Sequence, residues 1–325
     1  MKTHHQQLRM ALFAVIVLAV GTVGQAWGVI YTAIDLHPRG CSSSAAIGIS
    51  GTQQAGYGYV SAAGSASHAL LWNGSAASCV DLNPSGFDSS TASGTSGTQQ
   101  VGYGLGPATG GANHALLWNG SAASYVDLNP SGFDRSAAYG TSGTQQVGRG
   151  AGPVTAGNFH ALLWNGSPDS YVDLNPSGFA GSEGADISGT QQVGYGWVSA
   201  TRRYEHALLW NGSADSFVDL NPSGFAKSWA AGISGTQQVG WGRGPVTGGD
   251  HALLWNGSAD SYVDLHQFLS SDFIYSRAIS VTANGNIVGY GFVSPGHAHA
   301  ILWQVPEPAT LLLLGLGAVT LRKRR

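Results

Sequence analysis

One twenty-residue phrase recurs through this chain with little change. HALLWNGSAASYVDLNPSGF at 114–133 is followed by HALLWNGSPDSYVDLNPSGF at 160–179 and HALLWNGSADSFVDLNPSGF at 206–225. The opening pentapeptide begins at His68, His114, His160, His206 and His251, and its variant HAILW at His299. The steps are 46, 46, 46, 45 and 48 residues. A period in the forties belongs to propeller blades or to helical repeats. Helices fit poorly, because the unit is full of Gly, β-branched and aromatic residues and shows no 3.6-residue period.

Each unit reads as four short strands bounded by turn residues. The first is Ala-x-Gly-Ile-Ser, as in 46–50, and a Ser-Gly-Thr-Gln turn leads into Gln-Val-Gly-Tyr-Gly, as in 100–104. A Gly-rich link precedes His-Ala-Leu-Leu-Trp, and Asn-Gly-Ser turns the chain into Tyr-Val-Asp-Leu. Asn-Gly between apolar runs is the strongest short hairpin signal. Composition agrees: charged residues are 10% of the chain against about 25% in a typical domain, and Gly numbers 49. Six units of four strands imply an all-β, six-bladed β-propeller.

The two ends test that reading. After Trp303 no Tyr-Val-Asp-Leu follows, but Tyr31-Thr-Ala-Ile-Asp-Leu36 stands ahead of the first full unit. Counting it, the fourth strand also occurs six times, with its acid at Asp35, Asp81, Asp127, Asp173, Asp219 and Asp264. The expectation is a ring whose last blade is completed by the N-terminal strand. The alternative, an open β-solenoid, has no use for such an offset.

Both termini read as handling signals with hydrophobic helices. Residues 1–28 have a basic start, the apolar run 10–24 and small residues at Ala26 and Gly28, which describes a signal peptide cut before Val29. Residues 29–304 are the repeat domain. At 305–325 an apolar run from Ala309 to Leu321 is closed by four cations, a short membrane helix whose basic end stays cytoplasmic. Val305-Pro306-Glu307-Pro308, the apolar run and Arg322-Lys323-Arg324-Arg325 together resemble the PEP-CTERM sorting signal of exported bacterial proteins. That resemblance implies cleavage near Pro308 by an exosortase, a transient anchor in the inner membrane, and a cell-surface or extracellular-matrix destination in an organism that makes exopolysaccharide and biofilm.

The repeats also resemble the HAF family of extracellular repeats. The match runs through His114-Ala115-Leu116-Leu117-Trp118, Val126-Asp127-Leu128 and Gly140–Gly148, with Leu where the family has Phe. It implies an extracellular repeat protein and carries no chemistry with it.

Between Val29 and Pro308 there are eight Lys+Arg and all seventeen Asp+Glu, so trimming moves the formal charge from −3 to −9. Nucleic acid is therefore a poor partner. Every unit contains a His, a Ser and an Asp, yet a catalytic triad needs one nucleophile and one base in a single geometry. Groups repeated six times serve the blades, the histidine by bonding backbone of its own blade. His297 and His299 share a strand face without Cys, Asp or Glu at complementary spacing, so no metal is expected, nor any cofactor or catalytic residue. The sequence therefore favours a non-catalytic binding module for polysaccharide, against a coat or spacer protein and, behind both, a propeller enzyme acting on glycans.

Two further expectations are specific. The links between second and third strands vary most among the copies, and Trp197, Arg202, Arg203, Tyr204, Trp241 and Arg243 gather aromatic and cationic groups there as a ligand-binding surface. Cys41 and Cys79 stand where other units have aromatic pairs the same 38 residues apart, such as Phe87 and Tyr125. Both positions changed together in one unit, which predicts a disulfide in an exported protein.

Overall fold

The computed structural model describes residues 33–60, 66–199, 204–245, 248–294 and 297–305. The chain divides into units 1–35 and 36–325; of the first, residues 33–35 are described and are irregular backbone. The second consists of six antiparallel sheets in chain order. Blade 1 is β1 (Cys41–Ser50), β2 (Gln53–Val60), β3 (Ala66–Asn73) and β4 (Val80–Asp81). Blade 2 is β5 (Ser89–Thr95), β6 (Gln100–Leu105), β7 (His114–Trp118) and β8 (Val126–Asp127). Blade 3 is β9 (Arg135–Thr141), β10 (Gln146–Ala151), β11 (His160–Trp164) and β12 (Val172–Asp173). Blade 4 is β13 (Gly181–Ser188), β14 (Gln191–Trp197), β15 (Glu205–Trp210) and β16 (Val218–Asp219). Blade 5 is β17 (Lys227–Ser234), β18 (Gln237–Arg243), β19 (His251–Trp255) and β20 (Val263–Asp264). Blade 6 has three described strands, β21 (Tyr275–Val281), β22 (Ile287–Ser294) and β23 (His297–Trp303). This is the predicted six-bladed all-β propeller.

Local chemistry sets each blade. The Asn-Gly turn after the third strand places Gly120 at φ +82°, where a side chain is strained, and a one-turn 3-10 helix follows at Ala122–Ser124. Ser124 Oγ accepts from the Asn119 amide at 2.9 Å and donates to the Ser121 carbonyl at 2.6 Å, so the turn caps itself. Between blades the core is a stack of seams. Val101, Leu117 and Leu128 of blade 2 pack on Phe133, Leu162 and Trp164 of blade 3, and the same arrangement recurs at the other seams. Each fully buried Leu or Trp contributes about 2–3 kcal/mol, so the seams hold the fold. A buried serine locks each one. Ser136 Oγ accepts from the Ala115 amide across the seam at 2.9 Å and donates to Asn129 Oδ1 at 2.7 Å.

Of the expected closing strand, Tyr31 and Thr32 lie outside the described residues and residues 33–38 form no strand; among the described residues the sheet of blade 6 has three strands. No described strand of blade 6 packs on blade 1 as successive blades pack on each other. Leu302 is accordingly 58% exposed where its counterpart Leu117 is 2% exposed, and Ile49 on blade 1 is 72% exposed. The fourth strands of blades 1 to 5 are short. Each pairs through only two residues, as Leu71 with Val80 and Leu70 with Asp81, so packing against a neighbouring blade must hold it in place. The two hydrophobic flanks expected at 1–28 and 305–325 lie, Val305 apart, outside the described residues, and among the described residues no helix is long and apolar enough to cross a membrane.

Candidate functional site

The repeated His, Asp and Ser are used inside the blades. His114 Nδ1 lies 2.7 Å from Asp127 Oδ2, and the other Asp127 oxygen accepts from the Asn129 amide at 2.8 Å. The same latch ties third to fourth strand at His68–Asp81, His160–Asp173, His206–Asp219 and His251–Asp264. The histidine's partner is thus a side chain, correcting the expected backbone bond. His266 takes the asparagine's place in the last link, 2.9 Å from Ser276 Oγ, and His37 stands 2.9 Å from Ser44 Oγ in the same way.

The residues singled out on the variable face come out unevenly. Trp197 is 1% exposed and lies so close over Gly181 that a Cβ there would sit 2.3 Å from its ring. Trp241 is 3% exposed, packed edge-on to Trp229 at 4.0 Å with the Arg277 guanidinium 4.1 Å from its ring. Neither offers an open platform. Arg243 is committed to the buried Asp250, which also holds Arg277. Tyr204 is exposed, and Arg202 and Arg203 lie outside the described residues.

A different set converges on the same face. The residue between the two glycines of each second strand is Tyr57, Tyr103, Arg149, Tyr195, Trp241 or Tyr290. In blades 1 to 5 it faces the first strand of the next blade. Arg149 meets Glu183 at 2.7 Å, Tyr195 stacks on Trp229 at 4.9 Å, and Trp241 meets Arg277. These three seams are filled. At the first two the opposing residues are Thr91 and Ala137, and clefts of about 310 and 160 Å³ remain. The sequence signal for this set was a variable position between two constant glycines of the strand.

Near the centre, where first strands of neighbouring blades touch, one carboxylate stands alone among small residues. Asp186 occupies the place of Gly94 and Gly140, accepting from the amides of Ile187 at 2.8 Å and, across the seam, Ile233 at 3.1 Å. Burial pushes its pKa from 3.8 to about 6 despite those two donors. A raised carboxylate pKa favours folding while the group is protonated, and that contribution is lost as pH climbs from about 4 through 6. Asp186→Asn is therefore expected to be up to about 3 kcal/mol more stable than the parent at pH 7.5 and equal to it near pH 4. Melting curves of both proteins from pH 4 to 8 check this; a pH-independent difference would refute it.

Residues 304–325 match the model of the PEP-CTERM protein-sorting motif. No curated protein matches the sequence. Among solved structures, the chain is similar to the β-propeller domain of the Trilobed protease from Pyrococcus furiosus, which has an open velcro topology. Identity is 8% and the TM-score 0.56, over 82% of this chain and 84% of that one. A prolyl endopeptidase gives TM-score 0.56 at 8% identity, over 83% of this chain and 42% of that one. TolB from Acinetobacter baumannii is 10% identical, TM-score 0.47, over 68% of this chain and 53% of its own. The chain thus spans about half the length of these last two proteins. At such identities the likeness shows the fold alone. The chain is an all-β propeller carrying the PEP-CTERM motif at its C-terminal end, a signal for export and exosortase sorting to the exterior.

Proposed function

We propose that this protein is a component of the bacterial surface or extracellular matrix whose propeller serves as a non-catalytic binding module, for polysaccharide in particular. The sorting motif at 304–325 carries the reading, because a signal for export supports a loop-bearing scaffold working outside the cell. The HAF-like repeats agree with an extracellular role. Signal peptidase and exosortase are then its processing partners. A coat or spacer protein would need only equivalent blades, whereas the links between second and third strands run from YVSAAGSAS to RGPVTGGD. Replacing Pro306, Glu307 and Pro308 together by alanine should hold the protein at full length in the membrane fraction. The parent should be shortened and recovered with the matrix, and in lower yield from cells lacking polysaccharide. Unaltered processing of the alanine variant, or equal recovery without polysaccharide, would overturn the reading.

A further inference from the structure

The two open seams adjoin, and Tyr103 is common to both. Tyr103 lines the 310 Å³ cleft between blades 1 and 2 together with Tyr57 and Tyr59, and it lines the 160 Å³ cleft between blades 2 and 3 together with Tyr139 and Phe159. Asn113 also borders both. The clefts exist because of a size mismatch. Where later seams set Glu183, Trp229 or Arg277 against the incoming side chain, these set Thr91 and Ala137.

The chemistry of the lining is selective. Tyrosine and phenylalanine rings supply flat apolar walls, while the Asn113 amide and the hydroxyls of Ser67 and Ser89 supply donors and acceptors at the mouth. That combination suits a ligand with apolar ring faces and hydroxyl edges. Arg149 in the smaller cleft is already paired with Glu183 at 2.7 Å, which leaves Arg135, 4.7 Å from the Phe159 ring, as a cation in that lining; what disfavours an acidic ligand is the charge of the whole domain. A formal charge of −9 between Val29 and Pro308 repels polyanions. The larger cleft is at the low end of small-ligand pockets, about 300–1,000 Å³, so it suits a sugar unit rather than a protein segment.

We infer that the paired clefts on either side of Tyr103 bind a neutral glycan chain, with the Tyr103 ring as the wall between two sugar subsites. This rests on the binding-module reading and gives it a location, at blades 1 to 3 instead of the filled seams of blades 4 to 6. Calorimetric titration of the exported protein with cellohexaose, isomaltohexaose and hexagalacturonic acid tests it. At least one neutral hexasaccharide should bind, and the acidic one should not. Tyr103→Ala should weaken that binding at least tenfold, and Ala137→Trp, which copies the filled seam at Trp229, should weaken it while leaving the melting temperature in place. Trp229→Ala should leave affinity unchanged. Binding that survives both Tyr103→Ala and Ala137→Trp, preference for the acidic sugar, or no binding of either neutral one would overturn the site. The module reading fails separately, if the parent protein is recovered equally from cells without polysaccharide.

Discussion

Replacing Gly148 by alanine is expected to destabilise the propeller by about 4 kcal/mol or more, lowering the melting temperature by roughly 10 °C. In an ordinary strand the same change would help slightly, since alanine loses less chain entropy on folding. Here a Cβ would sit 2.0 Å from the Ala137 carbonyl oxygen and 2.8 Å from the Ala138 Cα, both backbone of the paired first strand. Nothing flexible can yield. The approach is close because the β9–β10 ladder shifts register between Val147 and Gly148, bulging the first strand toward its neighbour. Gly56, Gly102, Gly194, Gly240 and Gly289 meet a carbonyl at 1.9–2.0 Å in the same way. Gly166→Ala makes the comparison: it has φ +81° but open space around it, and should cost only about 1–2 kcal/mol. Urea unfolding of the two variants measures both. A Gly148→Ala protein no less stable than Gly166→Ala would show that the strands accommodate the methyl group.

That glycine illustrates which features the sequence made legible. Repetition exposes any constraint shared by all blades, because a requirement met six times leaves the same residue six times. The Asn-Gly turns, the third-strand Trp and the glycines of the second strand were therefore readable as architecture before any geometry was known. The His–Asp latch was readable as structural for the same reason. Its partner was not, because strand spacing alone does not say whether His114 reaches backbone or the Asp127 carboxylate.

The candidate site was legible only as a face. Link variability pointed to the side on which the clefts beside Tyr103 lie, but a loop's variability does not tell which side chains are used up by their neighbours. Trp197 and Trp241 look like anchors in the sequence and are consumed in packing; Tyr103 looks like one strand residue among many and stands in an open seam. The decisive quantity is the residue opposite. It lies 34 positions further along at Tyr57–Thr91, Tyr103–Ala137, Arg149–Glu183 and Tyr195–Trp229, an offset that repeat alignment contains but that only the stacking of blades explains.

The other large effect concerns Cys41 and Cys79, whose sulfurs are thiols in the structure. In blades 2 to 5 their equivalents are touching edge-to-face ring pairs, with centroids 5.4 Å apart at Phe87–Tyr125 and at Phe133–Tyr171, 5.8 Å at Phe179–Phe217 and 5.3 Å at Phe225–Tyr262. Cys41 Sγ lies against Gly58 as Phe87 lies against Gly104, and both cysteines line one cavity with Asp81. Phe87 is covered by Leu71 and Leu82 of the preceding blade, whereas no described strand of blade 6 packs on blade 1 as successive blades pack on each other. A covalent clasp there needs no such cover. Burial, with Cys41 and Asp81 close by, pushes the Cys79 thiol up to about 11, so in the folded state little thiolate is present to start exchange. The bond is thus expected to form while the exported chain is still folding. A disulfide such as oxidised glutathione accepts the two electrons, leaving as two thiols. Closing the loop between residues 41 and 79 should add about 2–4 kcal/mol, and reduction, or Cys41→Ser, should lower the melting temperature by about 5–10 °C. Thiol titration of the denatured exported protein should find no free thiol before reduction. Two titratable thiols, with a melting temperature indifferent to reductant, would show that blade 1 stands without the clasp.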